Sequence, residues 1–479
     1  MKYLQLTSIL LLTVALFSAC QREDPQPFGA VPTEAQIEWQ KMEMNMFCHF
    51  GPNTFTGEEW GNGGEDEDLF YPTELDCRQW VSVAKEAGMK GIIITAKHHD
   101  GFCLWPSHES DHTVRESRWQ RGSGDVLREL SEACREGGLK FGVYVSPWDR
   151  NAPTYGTPEY NQTFARTLQE VLGDYGEVFE QWFDGANGEG PNGRRQEYDW
   201  TLFNSTVSSL QPQAVVFSDV GPGCRWIGNE RGEAGRTCWS TLNPYGYEPG
   251  RGPGEKVLNE GIEGGSHWIP GEADVSIRPG WFYKESEHPK SVAELVDIYL
   301  KSVGRNALLL LNVPPDTRGL IAAEDSTRLV EFSTALKEMF GNDLSRGAKA
   351  KADSRWARKY DISKALDGDE STCWVAEHGR LNGVVTIELP EKRTFNLILL
   401  QEEIRLGQRV AEFTIEAEDA EGNWHEIAHE TTIGYKRIVP VPVTESQRIR
   451  IRITRSLAEP TLKQVGLFFS GQWSVISDP

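Results

Sequence analysis

The chain has 479 residues, 38% hydrophobic and 25% charged, which is apolar mass for two or three folded domains and excludes a disordered or fibrous protein. Lysine and arginine total 49 against 71 aspartates and glutamates, and the net charge of −22 excludes a nucleic-acid backbone as main partner. The 16 tryptophans offer flat faces that stack on sugar rings as well as fill cores.

In chain order, Lys2, an apolar run over residues 4–17 and Ser18-Ala19 predict a secretory signal over residues 1–19. That run is too short and wrongly flanked to remain as a membrane helix. Phe17-Ser18-Ala19-Cys20 resembles a bacterial lipobox, so cleavage would expose Cys20 for acylation and tether the mature chain to a membrane surface. Ordinary cleavage near Ala19 with an unmodified Cys20 is the alternative. The acidic pair in Gln21-Arg22-Glu23-Asp24 resembles the tether that directs some lipoproteins outward, so the expected location is the periplasm or the outer-membrane surface. The other seven cysteines (Cys48, Cys77, Cys103, Cys134, Cys224, Cys238 and Cys373) are scattered, with no disulfide framework and no paired zinc motif. Cys224 and Cys238 would bridge one loop if any pair does; buried thiols are the plainer reading.

From about residue 40 to 340, short apolar runs alternate with amphipathic segments. Strands are expected at 44–50, 91–96, 141–146, 178–183, 214–218, 273–277 and 307–313, with a poor eighth at 238–241. Trp80, Val83, Ala84 and Ala87 share one helical face, as do Val126, Leu127, Leu130 and Ala133. Further helices are expected near 158–172, 197–210, 290–303 and 323–340. This alternation means parallel strands joined by crossovers, and about eight units suit an α/β fold of the (β/α)₈ barrel type over residues 20–342, irregular at its sixth unit. No GxGxxG follows the first strand, so an open dinucleotide-binding sheet is disfavoured. Past Gly341-Asn342 the helices stop. Strands at 384–389, 395–400, 411–418, 436–443 and 447–454 predict an antiparallel β-sandwich over residues 343–479. Ile449, Ile451 and Ile453 alternate there with Arg448, Arg450 and Arg452, a half-buried strand with one basic face. No low-complexity linker separates the two domains, so they are expected to pack firmly.

Catalytic groups of such barrels project from the C-terminal ends of the strands. Those ends carry His49, then Glu58-Glu59-Trp60 in the following loop, Lys97-His98-His99-Asp100, Tyr144, Asp184-Gly185, Glu230 between Gly228 and Gly232, and Trp281. Asp184 follows residues that belong inside a strand, and the next helix starts well downstream, which favours a carboxylate in the site over a helix cap. Glycoside hydrolysis needs a second carboxyl group. Glu230 lies on the right face, with Glu189, Glu233, Glu263 and Glu272 as rivals. His49, His98 and His99 suit hydrogen bonds to sugar hydroxyls. A metal is the alternative, disfavoured because the adjacent pair His98-His99 should point in different directions. Trp60 and Trp281 offer a wall for a sugar face, or pack the rim.

Together His49-Phe50-Gly51, Lys97-His98-His99-Asp100-Gly101-Phe102, Trp182-Phe183-Asp184-Gly185 and Gly280-Trp281 resemble the α-L-fucosidases of glycoside hydrolase family twenty-nine. The resemblance implies Asp184 as nucleophile of a retaining hydrolysis and His49, Trp60, His98, His99, Tyr144 and Trp281 as the fucose-holding residues. Gly228-Asn229-Glu230-Arg231-Gly232 and the stretch from Ala273 to Trp281 resemble the branch that cleaves α-1,3 and α-1,4 fucosyl bonds in branched, Lewis-type glycans, with Glu230 as acid/base. A broad-specificity fucosidase, a non-catalytic fucose-binding barrel and a barrel metallohydrolase remain as other readings. The C-terminal segment, with Ala365-Leu366-Asp367-Gly368-Asp369 leading to Thr372-Cys373-Trp374, is similar to discoidin-like, galactose-binding-type modules. Such modules often carry a structural calcium, for which Asp367 and Asp369 would serve if the segment is more than a turn. No cofactor is required for the reaction.

Overall fold

The computed structural model describes residues 23–471, so the expected signal and Cys20 lie outside the described residues. Eight parallel strands close into a barrel: β1 Met44–Cys48, β2 Gly91–Lys97, β3 Lys140–Val145, β4 Glu180–Trp182, β5 Val215–Ser218, β6 Cys224–Trp226, β7 Gly271–Ser276 and β8 Ala307–Asn312. β1 closes the ring against β8, with Met44 opposite Leu309. Both faces of a barrel strand are covered, by the interior and by the helices, so β2 reads Gly-Ile-Ile-Ile-Thr-Ala-Lys and is buried throughout.

Helix α1 (Glu34–Met42) precedes β1, and α2 (Cys77–Glu86), α3 (Val126–Gly137), α4 (Pro158–Asp174) and α5 (Trp200–Leu210) follow β1 to β4 in turn. The later units add α6 (Glu255–Glu260), α7 (Val292–Lys301) and α8 (Ala323–Phe340). The starts are written in side chains. The Asp76 carboxylate accepts the Arg78 and Gln79 N–H groups to begin α2, and Asp125 accepts from Arg128 to begin α3. Gly138, at φ 74°, takes the left-handed position that ends α3.

One expected barrel strand is misplaced. No helix separates β5 from β6, and the sixth strand is Cys224–Trp226, not 238–241. Thr241–Leu242 instead pairs with His267–Trp268 in a two-stranded ribbon outside the barrel. β6 lacks an apolar run because its middle residue is Arg225. That guanidinium is buried, donating to Leu258 O at 2.8 Å and Trp239 O at 2.9 Å, which satisfies a charge that composition alone would put in water.

The second unit is an antiparallel sheet of β9 Lys349–Ala352, β10 Gly383–Gln401, β11 Val410–Glu418, β12 Trp424–Glu430, β13 Arg437–Ser456 and β14 Gln464–Phe468, in the order β9-β10-β13-β11-β12 with β14 also on β10. The strands expected at 384–389 and 395–400 are one strand, as are 436–443 and 447–454. Register shifts between Glu388 and Arg393 and between Phe395 and Leu397 bend these long strands around a core of Val385, Ile387, Ile415 and Ile451. The basic face of β13 is neutralised by β11: Arg448 reaches Glu418 at 2.7 Å and Arg450 pairs with Glu416.

The two units share apolar contacts. Leu397, Leu399, Ile438 and Phe468 belong to the same buried cluster as the barrel side chains, with Phe468 against Phe340 at 5.2 Å between ring centres. Backbone bonds from Asn306 N to Lys436 O at 3.0 Å and from Ile438 N to Gly304 O at 2.9 Å stitch the loop before β8 to β13.

Candidate active site

Beyond β4, Phe183 packs outward among Phe164, Trp200 and Phe203, and Asp184 is left half-buried at the barrel mouth. Its Oδ1 accepts the Ala186 N–H at 2.8 Å, and its Oδ2 accepts the Tyr144 hydroxyl at 2.9 Å. Gly185 must be glycine, since a Cβ would lie 2.7 Å from Gly250 N. The segment carrying Gly250 is held by Asp219, which accepts from Gly250 N and Gly252 N, so it lies across the ends of β4 and β5.

Three imidazoles line the floor. His49 Nδ1 lies 2.9 Å from the Asn312 amide oxygen, which as an acceptor puts the proton on Nδ1 and turns Nε2 to the pocket. His99 Nδ1 lies 2.8 Å from Ser146 Oγ, whose own hydroxyl donates to Trp148 O; His99 Nε2 faces Asp184 Oδ2 at 3.6 Å, beyond hydrogen-bond range. His98 stacks on Tyr144 at 5.6 Å, and its buried Nδ1 has no protein partner. Burial lowers all three basicities, His49 to about 3, His99 to about 4 and His98 well below its ordinary value, so each is a neutral ring that can donate and accept.

Both histidines of the adjacent pair therefore meet in one pocket, with ring centres 4.2 Å apart, contrary to the expectation that they diverge. Alternation governs residues inside a strand, and β2 ends at Lys97. Lys97 itself is not in the pocket; it is spent on buried Asp149 at 2.7 Å. Asp100 caps its own turn by accepting from Phe102 N at 2.9 Å. Among the described residues the one cluster with metal-ligand spacing is Glu180, Cys224 and Glu272 inside the barrel, and the three histidines do not form such a cluster. All seven described cysteines are buried free thiols, Cys224 and Cys238 included.

On the opposite wall, Trp281 is held at three points. Its backbone N–H donates to Glu59 Oε2 at 2.9 Å, its carbonyl accepts from Asn312 Nδ2 at 2.8 Å, and its indole N–H donates to Glu230 Oε2 at 3.3 Å. Its ring lies 5.0 Å from His49. Trp60 sits at the rim, 56% exposed, edge-on to His99 at 6.0 Å and to Trp148 at 5.8 Å. Glu230 stands in the loop after β6. Burial, then the charges of Asp184 and Glu59, raise its pKa against the pull of Trp281.

Three of the rival glutamates are engaged elsewhere, and Glu189 is exposed. Glu233 pairs with Lys301 at 3.4 Å, Glu263 with Arg455 of the second unit at 2.9 Å, and Glu272 lies inside the barrel under the Trp182 indole at 2.8 Å. The backbone of Glu189 bridges that of Arg195. In the second unit, the Asp367 and Asp369 carboxylates cap their own turn, and Lys364 sits 3.2 Å from Asp367. An ammonium beside a saturated carboxylate does not fit a calcium site.

Sequence reasoning missed several supporting groups. Asn312 orients both His49 and Trp281, and its signal was a lone amide at the end of the apolar run Ala-Leu-Leu-Leu-Leu-Asn. Asp274, buried on β7, accepts the Trp226 indole N–H at 2.8 Å and is kept well above the usual carboxylate range by burial and by Glu230. Ser146 and the backbone-binding role of Glu59 left no pattern to read.

An alpha-L-fucosidase family profile matches residues 28–339, and an F5/8 type C domain profile matches residues 349–462. Alpha-L-fucosidase 1 of Arabidopsis thaliana is 41% identical over 467 residues, covering 95% of this chain and 91% of its own. A solved structure of a putative alpha-L-fucosidase from Bacteroides thetaiotaomicron superposes with a TM-score of 0.86 at 39% identity, covering 93% of this chain and 99% of its own. A Ruminococcus gnavus family twenty-nine fucosidase, solved in complex with fucose, superposes with a TM-score of 0.86 at 32% identity over 95% of this chain and 98% of its own.

Proposed function

The chain belongs to the alpha-L-fucosidases of glycoside hydrolase family twenty-nine, and from that premise we propose a retaining, exo-acting enzyme that removes α-1,3- and α-1,4-linked fucose from branched, Lewis-type glycans. The observation that carries the reading is a pair of carboxyl groups close enough that the Asp184 charge raises Glu230: Asp184 held by Tyr144 and faced by His99, and Glu230 reached by Trp281, whose ring lies against His49. In the reaction Asp184 Oδ2 attacks the anomeric carbon as the glycosidic C–O bond breaks, and Glu230 gives its proton to the departing oxygen. Water, deprotonated by Glu230, then cleaves the fucosyl–Asp184 ester, and net configuration is retained. The two carboxyls must differ in protonation, and the raised pKa of Glu230 supplies the acid. His49, His98, His99 and Tyr144 hold the fucose hydroxyls, while Trp60 and Trp281 face its apolar edge.

One feature supports the branched-linkage reading: the Glu230 loop carries the Gly-Asn-Glu-Arg-Gly pattern. Beside Gly185 a polar cavity of about 670 Å³, lined by Asn187, Arg195, Glu197, Glu248 and Arg251, has room for further sugar units whatever the linkage. Incubation with a Lewis-type trisaccharide and, separately, with an α-1,2-fucosyllactose tests it. Fucose release from the first alone is expected. Equal release from both would replace the reading with a broad-specificity fucosidase, and binding without release from either would leave a fucose-binding barrel. We further propose that the chain is exported and anchored through Cys20 at the periplasmic or outer-membrane surface, which metabolic labelling with a palmitate analogue checks by comparing the wild type with Cys20→Ser.

A further inference from the structure

Residues 227–234 leave β6, pass around Glu230 and turn back toward α7, and the two ends of this excursion converge on one amide. Asn259, half-buried on α6, donates its Nδ2 to Glu233 O at 2.7 Å and to Ile227 O at 3.3 Å. From inside the loop, Asn229 Nδ2 also donates to Glu233 O at 2.9 Å, and its Oδ1 accepts Arg231 N at 3.1 Å. Gly228 and Gly232 take φ values of +89° and +73°, and a Cβ on Gly228 would meet Glu255 O and Leu258 Cβ at 3.1 Å. The loop thus rests directly on α6, and Arg231 adds an ion pair to Glu255 at 2.8 Å.

A helix of six residues has little stability of its own, so something must hold it. Arg225 does so: from β6 its buried guanidinium donates to Leu258 O, one residue before Asn259. The barrel strand that precedes the Glu230 loop therefore fixes the helix that closes the same loop.

We propose that Asn259 is a positioning residue for the acid/base carboxylate, its amide tying both ends of the loop that aims Glu230 at the glycosidic oxygen. This rests on the reading of Glu230 as acid/base. Loss of the amide leaves Asp184 and its Tyr144 bond untouched, so nucleophilic attack is preserved while proton delivery suffers. The penalty then depends on the leaving group. A sugar alkoxide must be protonated as it departs, whereas an activated phenolate leaves without help.

The test compares kcat and kcat/KM of wild type, Asn259→Ala and Glu230→Ala on a fucosylated trisaccharide and on 2-chloro-4-nitrophenyl α-L-fucoside. Asn259→Ala is expected to lose about 10- to 100-fold in kcat/KM, which reports the fucosylation step alone, on the trisaccharide and less than about threefold in kcat/KM on the aryl fucoside, with Glu230→Ala showing the same pattern more strongly. An equal loss on both substrates, or no loss on either, would overturn the proposal for Asn259. If Glu230→Ala itself lost kcat/KM equally on both, the acid/base reading would fall instead; its kcat falls on either substrate, because water attack on the ester also needs Glu230. Should Asn259→Ala fail to fold, Asn259→Asp keeps the shape without the donor and is held to the same two outcomes; a fall of both variants to no folded protein would count Asn259 as structural and overturn the proposal.

Discussion

Asp184 is held by two hydrogen bonds from different parts of the chain, the Ala186 N–H on one oxygen and the Tyr144 hydroxyl on the other, and only the second can be removed by substitution. Burial and the Asp184 charge push the Tyr144 phenol well above its ordinary pKa, so it stays a donor. A hydrogen bond to a charged group contributes about 1.5–3 kcal/mol. Tyr144→Phe, which keeps the stack on Trp182, is therefore expected to lower kcat by about 10- to 100-fold with a smaller change in KM, measured on an aryl fucoside. Glu59 is among the charges that raise Glu230, so Glu59→Gln lowers the pKa at which Glu230 loses its proton. The alkaline limb of the kcat/KM profile should move to lower pH; a shift to higher pH would exclude Glu230 as the group that titrates. Asp184 and Glu230 were legible as carboxylates because the strand pattern put them on the right face. Asn312, Ser146 and Glu59 were not, because their work is to hold other side chains, and that depends on contacts across several strands.

Below the pocket, β4 and β7 contribute a pair of carboxyl groups inside the barrel. Glu180 accepts the Trp39 indole N–H at 2.7 Å and Glu272 that of Trp182 at 2.8 Å; Trp182 in turn lies flat on Phe217 at 3.7 Å. Burial pushes Glu180 up to about 7, and burial followed by the Glu180 charge pushes Glu272 well above its ordinary value, so the pair holds protons that an unfolded chain would release at about pH 4.3. Between those values the native state binds more protons than the unfolded one, so stability falls as pH rises from about 4 through 7. Glu272→Gln retains an acceptor for Trp182 and removes one titrating group. Its melting temperature should fall less than that of the wild type between pH 5 and 8, and a steeper fall would contradict a protonated Glu272. At this scale most elements were readable from periodicity, as Trp80, Val83 and Ala84 on α2 illustrate. β6 was not, because three residues centred on Arg225 carry no apolar run, and the backbone acceptors that satisfy that guanidinium come from residues 14, 33 and 44 positions further on.

Across the whole molecule, barrel and sandwich are joined by side chains that neither could expose without cost. Leu397, Leu399, Ile438 and Phe468 complete the core against the barrel, and each fully buried apolar side chain contributes about 1.5–3 kcal/mol. Lys436 also reaches across to Glu43. A chain ending at residue 342 should therefore be insoluble or melt well below the full-length protein, and calorimetry of the full chain should show one transition; two separated transitions would mean independent units. That the last barrel helix ends near Phe340 was visible in the sequence, but the extent of the contact was not, since it joins residues such as Phe340 and Phe468 that lie far apart in the chain.

In the proposed mechanism a carboxylate oxygen of Asp184 bonds to the anomeric carbon of fucose. A 2-deoxy-2-fluoro-fucosyl fluoride slows both chemical steps while its fluoride leaves readily, so a retaining enzyme accumulates the ester. Mass spectrometry of the treated protein, followed by peptide mapping, should show one added fluorofucosyl group on the peptide that contains Asp184. A label on another carboxylate, or no label together with inverted fucose as the product, would contradict the mechanism.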